Sequence, residues 1–291
     1  MLQHKDEHAI ARMAKVLKVS ESGYYKWLKR HNAPPSAKEL EELALVEEIF
    51  EIFKASHYSY GSRKVTKVLN DRHANPINHK RVARIMSEYC WHSKVHKSYV
   101  VTTDSNHEYP VAPNLLKRNF SADRPGQKLV SDTTVIITGE GHLYVAGILD
   151  LYGRLPVGIA VSMHNDRFLV IDALKDMIRR GYMHEGAILH SDRGATYCSE
   201  DYRKDIERAN MICSMSRKGD CWDNAPMESF WGKMKAEWMN REYDTLAEAA
   251  ADVYEYCLEF YPRHRVHASL NYMTPDSYYR AWQSSQTKQT I

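Results

Sequence analysis

Apolar positions recur at helical spacing from the start of the chain. Ile10, Met13, Ala14 and Leu17 fall on one face of EHAIARMAKVLK; after the turn VSES comes GYYKWLKR, which Ser20 or Ser22 can cap. The pair predicts a helix-turn-helix within residues 7–30. Pro34 and Pro35 then break the chain, and Ser36 can cap a long amphipathic helix to about Lys54, its early Glu39, Glu41 and Glu42 suiting the helix dipole. The stretch HYSYGSRKVTKVLNDRHANPINHKRVARIMSEY predicts a second helix-turn-helix: a helix from about Ser62 to Asp71, a turn through Asn75 and Pro76, and a helix opened by Asn78. Between 91 and 125 the periodicity is weak and Pro110, Pro113 and Pro125 interrupt it, as in a linker.

From Gln127 the period changes. KLVSDTTVIIT, LYVAGILDL and RLPVGIAVSM are rich in β-branched residues and joined by short turns, which predicts an antiparallel meander. Pro156 places the third strand at an edge, because proline cannot donate to a ladder. Asn165 or Asp166 caps a helix to about Arg180, Gly181 stops it, and AILH (187–190) reads as a buried strand. Ser199 opens another helix, MICSM (211–215) makes a fifth strand, and Glu228 lies on a helix starting near Asp223 or Asn224 with Pro226 in its first turn. Thr245 and Glu248 form a capping box for a helix through Tyr261. The pattern predicts an α/β domain over 126–291, a mixed five-stranded sheet with helices and further helices at its C-terminal end. An all-α region precedes it: a helix-turn-helix over 1–33, a second helical DNA-binding region over 34–90 and a linker over 91–125.

Composition sharpens this. The 291 residues, 43% hydrophobic, supply enough apolar material for a core. No run approaches the roughly 18 apolar residues of a membrane span, and MLQHKDEHAI lacks the apolar segment of a secretory signal, so the cytosol is expected. Cys90, Cys198, Cys213, Cys221 and Cys257 form no C-x-x-C pair and signal neither zinc nor a disulfide framework. Charge is uneven: residues 1–125 hold 21 Lys and Arg against 14 Asp and Glu, and residues 126–291 hold 19 against 23. The basic half points to a polyanionic partner. Its candidate DNA contacts are Tyr24 and Lys26 on the first unit and Arg63, Lys64, Lys67, Lys80, Arg81 and Arg84 on the second, where three- and four-residue spacings align basic side chains on helical faces.

The acidic half carries Asp132 within the first strand, Asp192 just past the fourth and Glu228 on the helix after the fifth, so the three acids can meet at one sheet edge. Converging carboxylates repel and need cations; hard oxygen donors favour Mg²⁺ or Mn²⁺, and two such ions about 3.5–4 Å apart can activate an attacking oxygen and stabilise a leaving one. Lys235, seven residues beyond Glu228 and on the same helical face, can hold a phosphate beside them. Asn224, in the polar approach to that helix, is a further candidate DNA contact. Gly194 would allow close backbone approach beside Asp192, and Gly232 suggests close packing on the helix that carries Glu228. His190 suits a structural or supporting role, Asp150 a turn or a fourth acid, and Trp222 and Trp231 core packing or base stacking.

These motifs, in order, resemble the second-frame transposases of bacterial two-reading-frame insertion sequences, members of the retroviral-integrase-like Asp-Asp-Glu superfamily. The resemblance rests on YGSRKVTKVL, INHKRVARIM, SDTT, DLYGR, HSDRG-TY, SRKGDCWDNAPMESF, K-K-E, the tail YPRHRVHASLNYMTP, and the thirty-five residues between Asp192 and Glu228. It implies an RNase H-like fold, a catalytic metal-binding triad of Asp132, Asp192 and Glu228, and Lys235 at the DNA end. It also implies two Mg²⁺ ions, duplex DNA of element terminal repeats and target as substrate, a homodimer or larger assembly, and an upstream-frame helix-turn-helix/leucine-zipper partner, separate or fused, all in the bacterial cytoplasm at the nucleoid. In the same tail Arg265 and His267 belong to a recurring pattern that fits either packing or DNA contact. Leu129 stands where the family usually has an aromatic residue and Pro262 where it has Asn. The competing expectations are a DNA-binding regulator without catalysis and an RNase H-type nuclease.

Overall fold

The computed structural model describes residues 1–93, 111–217 and 221–289. Two compact units emerge, Met1–Glu51 and Ile52–Ile291.

In the first unit α1 (Ile10–Leu17) ends on Lys18 in the left-handed region (φ 54°), and α2 (Glu21–His31) begins where the Ser20 hydroxyl accepts from Gly23 N at 3.0 Å. Tyr24 is buried and stacks on Trp27 with centroids 6.0 Å apart. A capping box opens α3 (Ala37–Ala55): Ser36 N donates to Glu39 at 2.7 Å, and Glu39 N donates to the Ser36 hydroxyl at 3.3 Å. The boundary between the units falls inside this helix.

The second unit takes in the last turn of α3 and continues with α4 (Ser62–Arg72) and α5 (His79–Glu88), the latter capped by the Asn78 side chain, which accepts from Lys80 N at 2.8 Å. Val65, Leu69, Val82, Ile85 and Met86 are buried on the inner faces of this pair. The meander follows as β1 (Lys128–Thr138), β2 (Gly141–Asp150) and β3 (Leu155–Ser162). Then come α6 (Arg167–Arg179), β4 (Ile188–Ser191), α7 (Glu200–Arg208), β5 (Ile212–Met215), α8 (Ala225–Glu237), α9 (Leu246–Tyr254) and α10 (Pro275–Gln289). Strand order is β3-β2-β1-β4-β5, antiparallel among β1, β2 and β3, and parallel from β1 through β4 to β5. This mixed sheet is RNase H-like, and Pro156 lies on the edge strand, as its missing N–H requires.

Strand alternation divides the core. Val130, Ile136, Val145 and Leu149 face α8 and α9, packing on Met227, Phe230, Trp231 and Val253; Leu129, Ala146 and Ile148 face α6 and α7, packing on Leu169, Leu174, Tyr202 and Ile206. The second half of the expected linker is part of this body. Leu116 is 2% exposed in the first cluster, and Leu115 N donates to the Ser214 hydroxyl at 2.9 Å; residues 94–110 lie outside the described residues. The helix expected to run through Tyr261 changes at Glu255 into a π-helical stretch to His264, containing Pro262, whose missing N–H breaks the regular ladder. Among the described residues no helix is long and apolar enough to cross a membrane.

Candidate active site

Three elements bring the three acids toward one point. The parallel register pairs Lys128 with Ile188, Leu129 with Leu189 and Val130 with His190; just past the end of β4 the chain brings Asp192 close enough for its charge to act on Asp132. Asp132 shares its strand face with Val130, the face that α8 covers. Glu228 sits in the first turn of α8. The Asn224 amide fixes that turn by donating to the Ser131 carbonyl at 3.0 Å, one residue before Asp132.

Gly147 determines how closely α8 approaches. It pairs with Asp132 across β1 and β2, and a Cβ there would stand 2.7 and 2.8 Å from Trp231 ring carbons and 3.3 Å from the Met227 methyl. The helix therefore rests where a side chain would otherwise be.

Electrostatics register the convergence. Asp132 retains some solvent access, yet its carboxyl is pushed well above the usual range, first by burial and then by the charges of Asp192 and Glu228; the Thr133 N–H and the Lys235 ammonium oppose this. Glu228, more exposed, is raised by desolvation. Lys235 is lowered by burial and raised in turn by Asp132, so its ammonium lies within electrostatic reach of that carboxyl. Gly194 N donates to Asp192 Oδ1 at 2.9 Å, and a Cβ on Gly194 would meet the same oxygen at 3.1 Å, so glycine keeps that backbone close. Beneath the acids Tyr197 is buried, its hydroxyl 3.0 Å from that of Ser131.

The donors are all carboxylate oxygens, the chemistry of a hard divalent cation. Among the described residues no three such side chains form a finished metal-binding group, so the fit lies in donor type and charge rather than in a closed cage.

Family profiles for an integrase core domain match residues 122–221 and 210–275, and one for an HTH-like domain matches 39–99. The 31 kDa protein of insertion element IS600 from Shigella sonnei is 38% identical over 267 residues, covering 91% of this chain and 97% of that one. Transposase InsF of insertion sequence IS3A from Escherichia coli K12 is 32% identical over 277 residues, covering 95% and 96%. The chain belongs to the IS3-type insertion-sequence transposases. It is thereby a polynucleotidyl transferase with an integrase core. Among solved structures, the HTLV-2 integrase catalytic core domain in complex with magnesium aligns over 55% of this chain and 99% of its own at 12% identity and a TM-score of 0.44.

The remaining site candidates of the transposase are placed unevenly. Lys26, Arg63 and Lys80 are exposed, Lys67 pairs with Asp71, and Arg84 holds Glu88 with bonds of 2.8 and 2.9 Å. Arg81 is half-buried. Tyr24 is buried in the first helical hairpin, and Asn224, 4% exposed, tethers α8 to β1. The space around Gly232 is open, not closely packed. His190 is fully buried between the hydroxyls of Ser214 (2.8 Å) and Ser216 (3.2 Å), and burial lowers it to about 4, a structural neutral imidazole. Asp150 organises a turn, accepting from Tyr152 N at 2.9 Å and Gly126 N at 3.1 Å. Trp231 is core; Trp222 is 68% exposed.

Asp223 was not legible as a hub. Its fully buried carboxylate accepts from Arg217 N and Nε at 3.0 and 3.1 Å, Arg118 Nε at 3.0 Å and Asn114 Nδ2 at 2.8 Å, and these donors hold it far below the usual carboxylate range. It clamps the 111–118 segment to the entrance of α8. Only the polarity of DCWDN hinted at it.

Proposed function

We propose that this transposase binds the ends of its insertion sequence, cleaves one strand and joins the freed 3′-hydroxyl to another phosphodiester, with Asp132, Asp192 and Glu228 as ligands for two Mg²⁺ ions. The observation that carries this reading is the convergence of the three carboxylates from β1, the residue after β4 and α8, with the Lys235 ammonium within reach of Asp132. Bound there, the ions would activate the attacking oxygen and stabilise the leaving one in an in-line displacement. The chain's own part is to fix the three carboxylates. Gly194 N orients Asp192, the Asn224 tether sets the start of the helix carrying Glu228, and Gly147 lets that helix settle beside Asp132. Lys235 offers a positive charge to the phosphate under attack. Water and then a DNA hydroxyl serve as nucleophiles, and no side chain need bond covalently to DNA.

The exposed cations of α4 and α5 bind backbone phosphates and set the register of the duplex. Holding two ends together calls for at least two copies in the bacterial cytoplasm; no sustained heptad runs through the sequence, so an upstream-frame leucine-zipper partner, separate or fused, would supply the coiled coil. The test is Asp192→Asn on labelled element-end duplex in Mg²⁺. Cleavage and joining are expected to disappear while binding persists. A variant as active as wild type sinks the reading; wild-type binding without cleavage points to a regulator, and hybrid cleavage without strand transfer to a nuclease.

A further inference from the structure

Lys64, on the first turn of α4, reaches Tyr60 just before that helix. Its ammonium lies 4.8 Å from the centre of the Tyr60 ring, whose hydroxyl donates to the His264 carbonyl at 2.9 Å and accepts from Val266 N at 3.0 Å. The start of α4 is thus fastened to the segment after the π-helical turn. From that segment Arg265, 4% exposed, grips Glu237 at the end of α8 with two bonds of 2.5 Å, and its third nitrogen lies 3.0 Å from His267 Nε2. Lys233 stands one helical turn before Glu237, and Arg154 enters from the turn between β2 and β3.

These groups share one space. His267 is held far below its usual range by burial and then by Arg265, Lys64, Lys233 and Arg154. Burial lowers Lys64 to about 8, with Arg265 and Lys233 adding to the depression against Glu237. Burial lowers Lys233 too, with Arg265 and Arg154 adding to it. Four positive groups therefore act on one neutral imidazole, Arg265 in direct contact with it, and the carboxylate near them, Glu237, is held by Arg265 in a two-bond pair. Among the described residues Lys64, Arg154 and Lys233 make no ion pair, although each is half-buried.

Partly desolvated cations without a counter-charge cost stability, so this arrangement suits an anion that arrives from outside. A phosphodiester fits: its oxygens accept charge-assisted bonds from several directions, and it is the repeating anion of the proposed substrate. Lys233 and Lys235 are two positions apart on α8, roughly 200° around the helix, so this cluster faces away from the side that Lys235 shares with the acids.

We propose that Lys64, Arg154 and Lys233 form a second DNA-phosphate site, framed by the Arg265–Glu237 pair, on the side of α8 away from the three acids. It rests on the DNA-transferase reading and adds that one backbone phosphate bridges the helix-turn-helix pair to the catalytic helix. Loading DNA on α4 would thereby hold α8 in place.

The experiment measures binding of the full chain to a fluorescent mixed-sequence duplex across a salt series, for wild type and for Lys64→Gln, Arg154→Gln and Lys233→Gln, singly and together. The triple variant is expected to lower the slope of log affinity against log salt by about 0.9 or more, one phosphate contact. Its Tm without DNA should stay level or rise, and Lys64→Arg with Lys233→Arg should keep the wild-type slope. Lys204→Gln with Arg208→Gln on α7 and Lys175→Gln on α6 serves as the charge-matched control and should leave the slope unchanged. A steep wild-type slope that the triple variant leaves unchanged overturns this inference alone, and a lowered Tm beside it assigns the cations to the fold. A flat wild-type slope overturns the DNA-binding reading and this inference with it.

Discussion

Replacing Gly147 with Ala tests whether the approach of α8 sets the geometry of the candidate site. The added methyl would stand 2.7 Å from a Trp231 ring carbon, against the 3.5 Å or more of an ordinary carbon contact, so helix or ring must give about 0.8 Å. The ring cannot swing freely: Trp231 is 4% exposed, and Phe230 packs beside it with centroids 4.9 Å apart. Overpacking of this kind costs about 1–3 kcal/mol. Moving Glu228 by a similar distance relative to Asp132 would slow strand transfer by about 10²-fold, the scale for a misplacement of about 1 Å. Thermal melting and single-turnover joining of labelled end DNA read the two effects separately. Trp231→Phe in the same chain should recover much of both, because the smaller ring vacates the contested space and the indole N–H it removes makes no hydrogen bond. A Gly147→Ala protein that melts and joins DNA like wild type would refute the argument, as would a double variant no better than the single one.

Three other expectations follow from buried acids. Asp223→Ala removes the acceptor that Arg217, Arg118 and Asn114 share and should lower stability by about 2–4 kcal/mol, near the range for breaking a buried ion pair but reduced because both arginines are half exposed; urea unfolding measures it. Because the folded pKa of Asp223 is depressed, its contribution is complete above the usual carboxylate pKa and fades as pH falls toward the folded value; wild type should lose stability below about pH 4, and Asp223→Asn should lack that component. Asp150 has the opposite sign. Burial raises it to about 6, so stability should fall by up to roughly 3 kcal/mol as pH rises from about 4 to 6, and Asp150→Asn should flatten that window in pH-dependent melting. Glu237→Gln weakens the buried grip on Arg265 and should cost about 3–5 kcal/mol in urea unfolding, whereas Glu259→Gln, at an exposed partner of Arg263, should change it by less than about 1 kcal/mol.

Legibility followed the range of the interaction. Ser20, Ser36, Asn78, Asp166, Ser199 and Thr245 cap the helices the sequence predicts, because a cap is a bond between residues two or three apart. The meander was legible from strand alternation and Pro156, and β1 spans the stretch read from KLVSDTTVIIT. Contacts across the fold were not. Nothing near Gly147 announces Trp231, eighty-four positions later, and nothing near Asp223 announces Asn114 and Arg118. The stacking of Tyr24 on Trp27 was not legible either, because an aromatic residue on a basic helix reads alike whether it stacks on a base or on another ring.

The same division explains why the lysines of α8 part company. Seven residues place Lys235 on the Glu228 face, and helical geometry alone supports that reading. Lys233, two residues earlier, faces a different neighbourhood, which becomes visible only once Lys64, Arg154 and Arg265 arrive from three distant segments. Charge counts along the sequence put the polyanion-binding capacity in the first 125 residues, yet two of the three cations beside Arg265 that make no ion pair among the described residues belong to the net-acidic half. A helix that carries an acid toward the candidate metal site on one side and Lys233 toward the cation cluster on another can be loaded from both sides at once. DNA held at the cations would then restrict the helix whose first turn presents Glu228, so binding energy far from the reacting bond could be used to set the geometry at it.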